Sequence, residues 1–138
     1  MRQTLHHIGC VVDSIAARVE GYRHALAATS VSASIEDPIQ RVRVAFLTLP
    51  GGAPQFELVE PTGADSPVLA AVARGGGLHH LCYEVDDLDG HIAMMKTAQA
   101  MLIRRPQPAA AFGGRRIAWM RTRDGLLLEY LERTPLVP

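Results

Sequence analysis

At 138 residues the chain suits one domain or two fused half-size modules, and a chain of this size buries about two-thirds of its unfolded surface without staples. Fourteen basic residues, all but one of them arginine, balance fourteen acidic ones, and a zero net charge argues against a nucleic-acid binder. No apolar run reaches the ~20 residues of a membrane helix, nothing at the N-terminus reads as a signal peptide, and Cys10 and Cys82 make no disulfide framework, so a reduced, cytoplasmic protein is expected.

Residues 4–12 read as a strand, rich in β-branched side chains and ended by Asp13-Ser14. Either of those two can cap a helix in which Ile15, Val19, Tyr22 and Leu26 form one apolar stripe, with His24 solvated beside it. Residues 30–40 read as a loop with room for a short strand. Residues 41–47 alternate as a half-buried strand, and a Pro-Gly turn leads to a further strand at 55–60.

Residues 62–77 connect the halves. Ser66-Pro67 offers an N-cap and an N1 proline for a two-turn helix over 68–74, which Gly75-Gly76-Gly77 ends. A second strand at 78–85 and a helix from 87 to 98 follow, the helix burying Leu88, Ile92 and Met95 and leaving His91 exposed. A proline-rich loop is expected at 106–108, strands at 115–121 and 126–132 turned by Asp124-Gly125, and a frayed tail over 134–138.

The order of the second half repeats that of the first, and so do its residues. Leu5-His6-His7-Ile8 and Leu78-His79-His80-Leu81 each continue through three variable residues to Val-Asp. His7 and His80 are 73 residues apart, and Glu57 and Glu129, in two similar apolar-Glu-apolar strands, are 72 apart. The expected architecture is α+β, with a first module at 4–61 and a second at 78–133.

Strand alternation places Leu5, His7, Gly9 and Val11 on one face and His6, Ile8 and Cys10 on the other. One histidine and one glutamate from each half make a four-residue set: His7, Glu57, His80 and Glu129. Two imidazoles and two carboxylates suit one Co, Ni, Mn, Zn or Fe ion, and a six-coordinate ion keeps two positions for a ligand, an arrangement built for Lewis-acid work. The bland reading is that duplication preserved a packing pattern. By the same alternation His6 and His79 turn away from this set as structural hydrogen-bonding residues. Cys82 reads as a small buried hydrophobe, and Phe112 and Trp119 as packing or pocket-wall residues.

These residues resemble the vicinal oxygen chelate superfamily, which holds the glyoxalase, bleomycin-resistance and dioxygenase proteins. The resemblance runs from His6-His7-Ile8-Gly9 to Leu131. Its more specific pieces, Gln40 to Leu47, Glu57-Leu58-Val59-Glu60-Pro61, Gly77 to Asp87 and Gly125 to Glu129, most resemble the methylmalonyl-CoA epimerases. The resemblance implies tandem βαβββ modules forming a curled mixed sheet around a central cavity, a divalent metal on the same four residues, a homodimer and an acyl-CoA substrate. At two positions the chain departs from that pattern: Val44 stands where some of these epimerases carry a glutamate proposed as base, and Phe112 where the family loop has a histidine. Catalysis would then fall to Glu57 or Glu129. The alternatives are a glyoxalase-like lyase or dioxygenase, or a non-catalytic protein that binds a small molecule in the same cavity.

Overall fold

The computed structural model describes residues 2–134; of the expected frayed tail, all beyond Thr134 lies outside them. The elements run β1 (Gln3–Val11), α1 (Ile15–Ala25), β2 (Ser30–Val31), β3 (Ile35–Asp37), β4 (Val42–Thr48), β5 (Gln55–Pro61), α2 (Leu69–Ala73), β6 (Gly77–Val85), α3 (Leu88–Thr97), β7 (Met101–Pro108), a 3-10 turn (Ala110–Phe112), β8 (Arg116–Arg121) and β9 (Leu127–Glu132). The expected α+β architecture is present.

The strands form one mixed sheet in the order β2-β4-β5-β1-β6-β9-β8-β7, with β3 also paired to β4. Its centre carries the internal repeat. In each half the first and last strands pair in parallel, β1 with β5 and β6 with β9, while β1 and β6 join the halves antiparallel.

Alternation along these strands sorts side chains between two layers. On the outer face Cys10, Ala45, Leu47, Phe56 and Leu58 pack under α1, through Ile15, Val19, Tyr22 and Leu26. Val85, Ala118, Met120, Leu128 and Tyr130 pack in the same way under Leu88 and Ile92 of α3. Ser14 caps α1, its hydroxyl accepting from the Ala17 amide at 3.2 Å, and Asp87 caps α3 by accepting from the Gly90 amide at 3.0 Å. The helices thereby hold the sheet from outside, and the inner face is left to enclose a cavity.

Three local expectations are corrected. The proline-rich stretch at 106–108 is strand, not loop: β7 pairs antiparallel with β8, and because it is the sheet's edge its prolines forfeit no ladder bond to a further strand. The short helix starts after Val68 rather than at Ser66, whose hydroxyl caps nothing and has no partner among the described residues. His91 is fully buried against the Tyr130 ring, 4.4 Å between centroids, because α3 lies flat enough on the sheet to bury Leu88, His91 and Ile92 together.

Candidate metal centre and active site

The four central strands, β5, β1, β6 and β9, each send one polar side chain to the middle of the inner face. They are Glu57, His7, His80 and Glu129, the set picked out by the repeat, and none is more than 5% exposed. His7 Nε2 lies 3.1 Å from Glu129 Oε1, 3.4 Å from Glu57 Oε1 and 3.3 Å from His80 Nε2. His80 Nε2 lies 3.3 Å from each of the same two carboxylate oxygens.

Burial would strip both imidazoles of charge, but Glu57 and Glu129 outweigh it and hold His7 well above, and His80 above, the ordinary imidazole value. Burial likewise opposes ionisation of the two carboxyls, and the paired histidines override it and hold both below the ordinary range. The two imidazoles and the two carboxylates thus favour one another's charged forms.

The donor spacing fits an ion. Atoms bound to one divalent ion at about 2.0–2.2 Å stand about 3.0–3.5 Å apart, and each histidine nitrogen meets that spacing to the other and to both carboxylate oxygens. Glu129 Oε1 is buried without a hydrogen-bond donor in good geometry, at a cost of about 1–3 kcal/mol that a cation relieves.

Two neighbours make room for the crossed histidines. In the β1–β6 register Gly9 faces His80, and a side chain at Gly9 would run into the His80 ring. Cys82, the repeat counterpart of Gly9, faces His7. Its thiol is fully buried and is pushed up by burial and by the charge of Glu129, so it acts as the small apolar filler expected of it. Gly9 was not singled out by sequence reasoning; its only signal was its place two residues after a repeated histidine.

His6 and His79 correct the alternation argument. Leu5 faces Tyr83 and His7 faces Cys82, leaving His6 as an extra, unpaired residue; His79 is extra in the same way between Leu78, opposite Cys10, and His80, opposite Gly9. Each is a β-bulge, and a bulge re-aims a side chain that plain alternation sends to the other face. Both rings come round to the ligand side: His6 Nδ1 lies 2.8 Å from His7 Nδ1, and His79 Nδ1 lies 2.8 Å from His80 Nδ1. Burial, and then the charge of the adjacent histidine, lowers both, His79 to about 4.

A cavity of about 240 Å³ opens above the cluster, walled by Val42, Val44, Val59, Ile117, Phe112 and Trp119, with Glu57, His80 and Glu129 at its base. Phe112 stacks on His7 at 5.9 Å, and Trp119 meets His80 edge-on at 4.7 Å. Two contacts tie the halves across the cavity: Ala110 N donates to Asp37 Oδ2 at 3.1 Å, and Trp119 Nε1 donates to Gln40 Oε1 at 3.2 Å. Phe112 and Trp119 are therefore pocket walls.

Charge at the rim is specific. Arg41, Arg43, Arg115 and Arg116 are held by Asp65, Glu36, Glu84 and Glu132 respectively. Arg74, Arg104 and Arg121 instead line the cavity with no carboxylate partner among the described residues.

Residues 6–119, which include His7, Glu57 and His80, match the Glyoxalase/Bleomycin resistance protein/Dioxygenase superfamily. The chain belongs to that superfamily. It is 32% identical over 129 residues to the ethylmalonyl-CoA/methylmalonyl-CoA epimerase of Cereibacter sphaeroides, across 91% of this chain and 94% of that protein. Among solved structures it resembles methylmalonyl-CoA epimerase from Mycobacterium tuberculosis, with a TM-score of 0.81 at 26% identity, covering 95% of this chain and 88% of that one. It also resembles a methylmalonyl-CoA epimerase in complex with methylmalonyl-CoA and ammonium, with a TM-score of 0.80 at 28% identity, covering 97% and 96%. The curled sheet around a cavity is thus the superfamily's fold. Among the described residues no helix is long and apolar enough to cross a membrane.

Proposed function

We propose that the protein is a divalent-metal-dependent epimerase of a 2-substituted acyl-CoA, methylmalonyl-CoA first among candidates. The observation that carries this reading is the buried His7-Glu57-His80-Glu129 cluster at the base of a largely apolar cavity. It sits in a chain that follows, over nearly its whole length, a fold solved with methylmalonyl-CoA bound. In this reading 4–61 and 78–133 are the two modules, each supplying half of the ligand set. A complete donor set also favours an enzyme over a protein that only sequesters a small molecule. Dimerisation is part of the same proposal.

An ion held by the four side chains would supply Lewis acidity toward a carbonyl oxygen beside the exchanging carbon. The chain's own residues do the rest. His7 and His80 give their Nε2 lone pairs, and the carboxylates of Glu57 and Glu129, held ionised, are available as bases. They come from opposite halves of the sheet and share the base of the cavity, within reach of a substrate seated above them. The carboxylate facing the α-hydrogen accepts that proton while the C–H electron pair forms the enolate C=C bond and the carbonyl π pair moves onto the thioester oxygen. The enolate is planar, and return of the proton, exchanged with solvent on the glutamate, to its opposite face gives the other epimer. Positioned proton transfer of this kind contributes ~10²–10⁴-fold.

Val42, Val44, Val59 and Phe112 keep water from the reacting carbon. Val44 and Phe112 bring no acid or base to the wall, and the cavity's other carboxylate, Asp37, already accepts from the amides of Ile39, Gln40 and Ala110, so the ligand glutamates carry the base role. Arg74, Arg104 and Arg121 at the rim suit the phosphates of a CoA thioester.

The test is exchange of the α-proton of methylmalonyl-CoA in D₂O, followed by NMR, with the protein loaded in turn with Co, Ni, Mn, Zn and Fe. Deuterium entering both epimers faster than in protein-free buffer is expected. Buffer-rate exchange under every loading would remove the epimerase reading.

A further inference from the structure

We propose that His6 and His79 are a matched pair of positioning residues, each holding one proposed ligand imidazole through a bond between their Nδ1 atoms. The inference rests on the metal reading and extends it by two residues. The two 2.8 Å contacts are made by different strands and by opposite halves of the chain. Each arises at a β-bulge, the device that turns an otherwise outward residue toward its neighbour.

The chemistry fixes the direction of these bonds. His7 and His80 both turn Nε2 to the cluster. An imidazole that gives its Nε2 lone pair to an ion carries its proton on Nδ1. That N–H donates, so Nδ1 of His6 and of His79 accepts, and each outer ring holds its own proton on Nε2. A ligand histidine almost always has such an acceptor, usually a carboxylate or backbone carbonyl. Here a second imidazole takes that role in both halves.

Aromatic packing fixes the ring planes. His6 meets Phe112 edge-on at 5.3 Å, and His79 meets Trp119 at 6.2 Å. The inner rings are wedged in parallel fashion, His7 by Phe46 at 5.6 Å and His80 by Trp119 at 4.7 Å. Phe46 and Trp119 are counterparts, since Phe46 faces Glu57 across β4–β5 as Trp119 faces Glu129 across β8–β9. The repeated Leu-His-His is therefore a ligand preceded by its own orienting residue, written twice.

Full-length wild type and the variants His6→Leu, His79→Leu, His6→Asn and His79→Asn would be titrated with Zn²⁺ and Co²⁺ against a chelator, and the visible spectrum of the Co²⁺ form recorded. Asparagine can present its side-chain oxygen near the place of Nδ1; leucine cannot. Each leucine variant is expected to bind roughly 10- to 100-fold more weakly with a shifted Co²⁺ spectrum, and each asparagine variant to recover most of both. A purely structural role would not separate leucine from asparagine. Tight wild-type binding with all four variants unchanged overturns the positioning role and leaves the metal reading standing. No uptake by wild type overturns both. Should the leucine variants fail to fold, nitrogen-labelled histidine spectra of the Zn²⁺-loaded wild type decide the matter: a proton on Nδ1 of His6 or His79 rules out acceptance.

Discussion

Gly9 and His80 face each other across the seam between the two halves, with the glycine's missing side chain replaced by the imidazole ring. The space a Cβ would need is already occupied, so the smallest substitution tests the centre. Gly9→Ala should displace the His80 ring, weaken metal binding at least tenfold and cost about 1–3 kcal/mol of stability through overpacking. Chelator competition and urea unfolding of the metal-free form measure the two effects. Unchanged metal affinity would show that His80 is not held in the place proposed for it.

Glu129 combines near-complete burial with an oxygen that lacks a well-placed hydrogen-bond donor. Glu129→Gln keeps the shape, removes the charge and should lower α-proton exchange ~10²-fold or more while circular dichroism stays that of the wild type. Wild-type exchange in this variant would remove Glu129 from the mechanism.

Metal uptake should release protons. His7 and His80, raised by their carboxylate partners, hold a proton more tightly in the metal-free protein than an ordinary imidazole does, whereas a ligand imidazole must be neutral. Affinity therefore rises with pH until both raised values are passed. The metal-free fold behaves oppositely at the alkaline end, since a raised imidazole stabilises it fully below about 6.5 and this is lost as pH climbs through the folded-state value. The lowered Glu57 and Glu129 stabilise it above about 4.5 and lose this as pH falls through their folded-state values. Calorimetry of Zn²⁺ binding in buffers of differing ionisation enthalpy reads the released protons directly, and an enthalpy independent of buffer would contradict the scheme.

The rim arginines predict a split between substrates. Arg74→Ala and Arg104→Ala should each raise KM for methylmalonyl-CoA about tenfold, ~1.4 kcal/mol, with little change in kcat. A truncated thioester without phosphates should not feel either change. Equal loss on both substrates would reassign these residues to packing.

His91 sits in the core with neither ring nitrogen bonded among the described residues, and burial lowers its affinity for a proton. His91→Leu should therefore stabilise the chain, by about 1–3 kcal/mol if no water serves the ring. A lowered imidazole makes the unfolded chain the better proton binder below about 6.5, so the advantage of leucine should widen from pH 8 to pH 5. Thermal unfolding at both pH values measures the gap.

How much of this was legible depends on what each feature needs. The His-Glu spacing needs only the chain itself, and the repeat of Leu-His-His and of apolar-Glu-apolar located all four cluster residues. Alternation also identified residues 41–47 as a half-buried strand, because period-2 patterning is local. It failed at His6 and His79 because a bulge is a property of two paired strands, and nothing in one strand shows which residue its partner will skip. The edge position of β7, which makes Pro106 and Pro108 tolerable in a strand, is likewise a fact of topology. The pairing of Arg115 with Glu84 and the freedom of Arg104 are decided only when distant segments meet.

The antiparallel seam between β1 and β6 has one more consequence. A one-residue slip between these strands would invert the faces of one half and carry its histidine and glutamate away together. Neither half alone offers more than one imidazole and one carboxylate to the centre. An ion seated there would thus certify that both halves have folded and docked in phase, making the site a proofreader of the chain's own assembly.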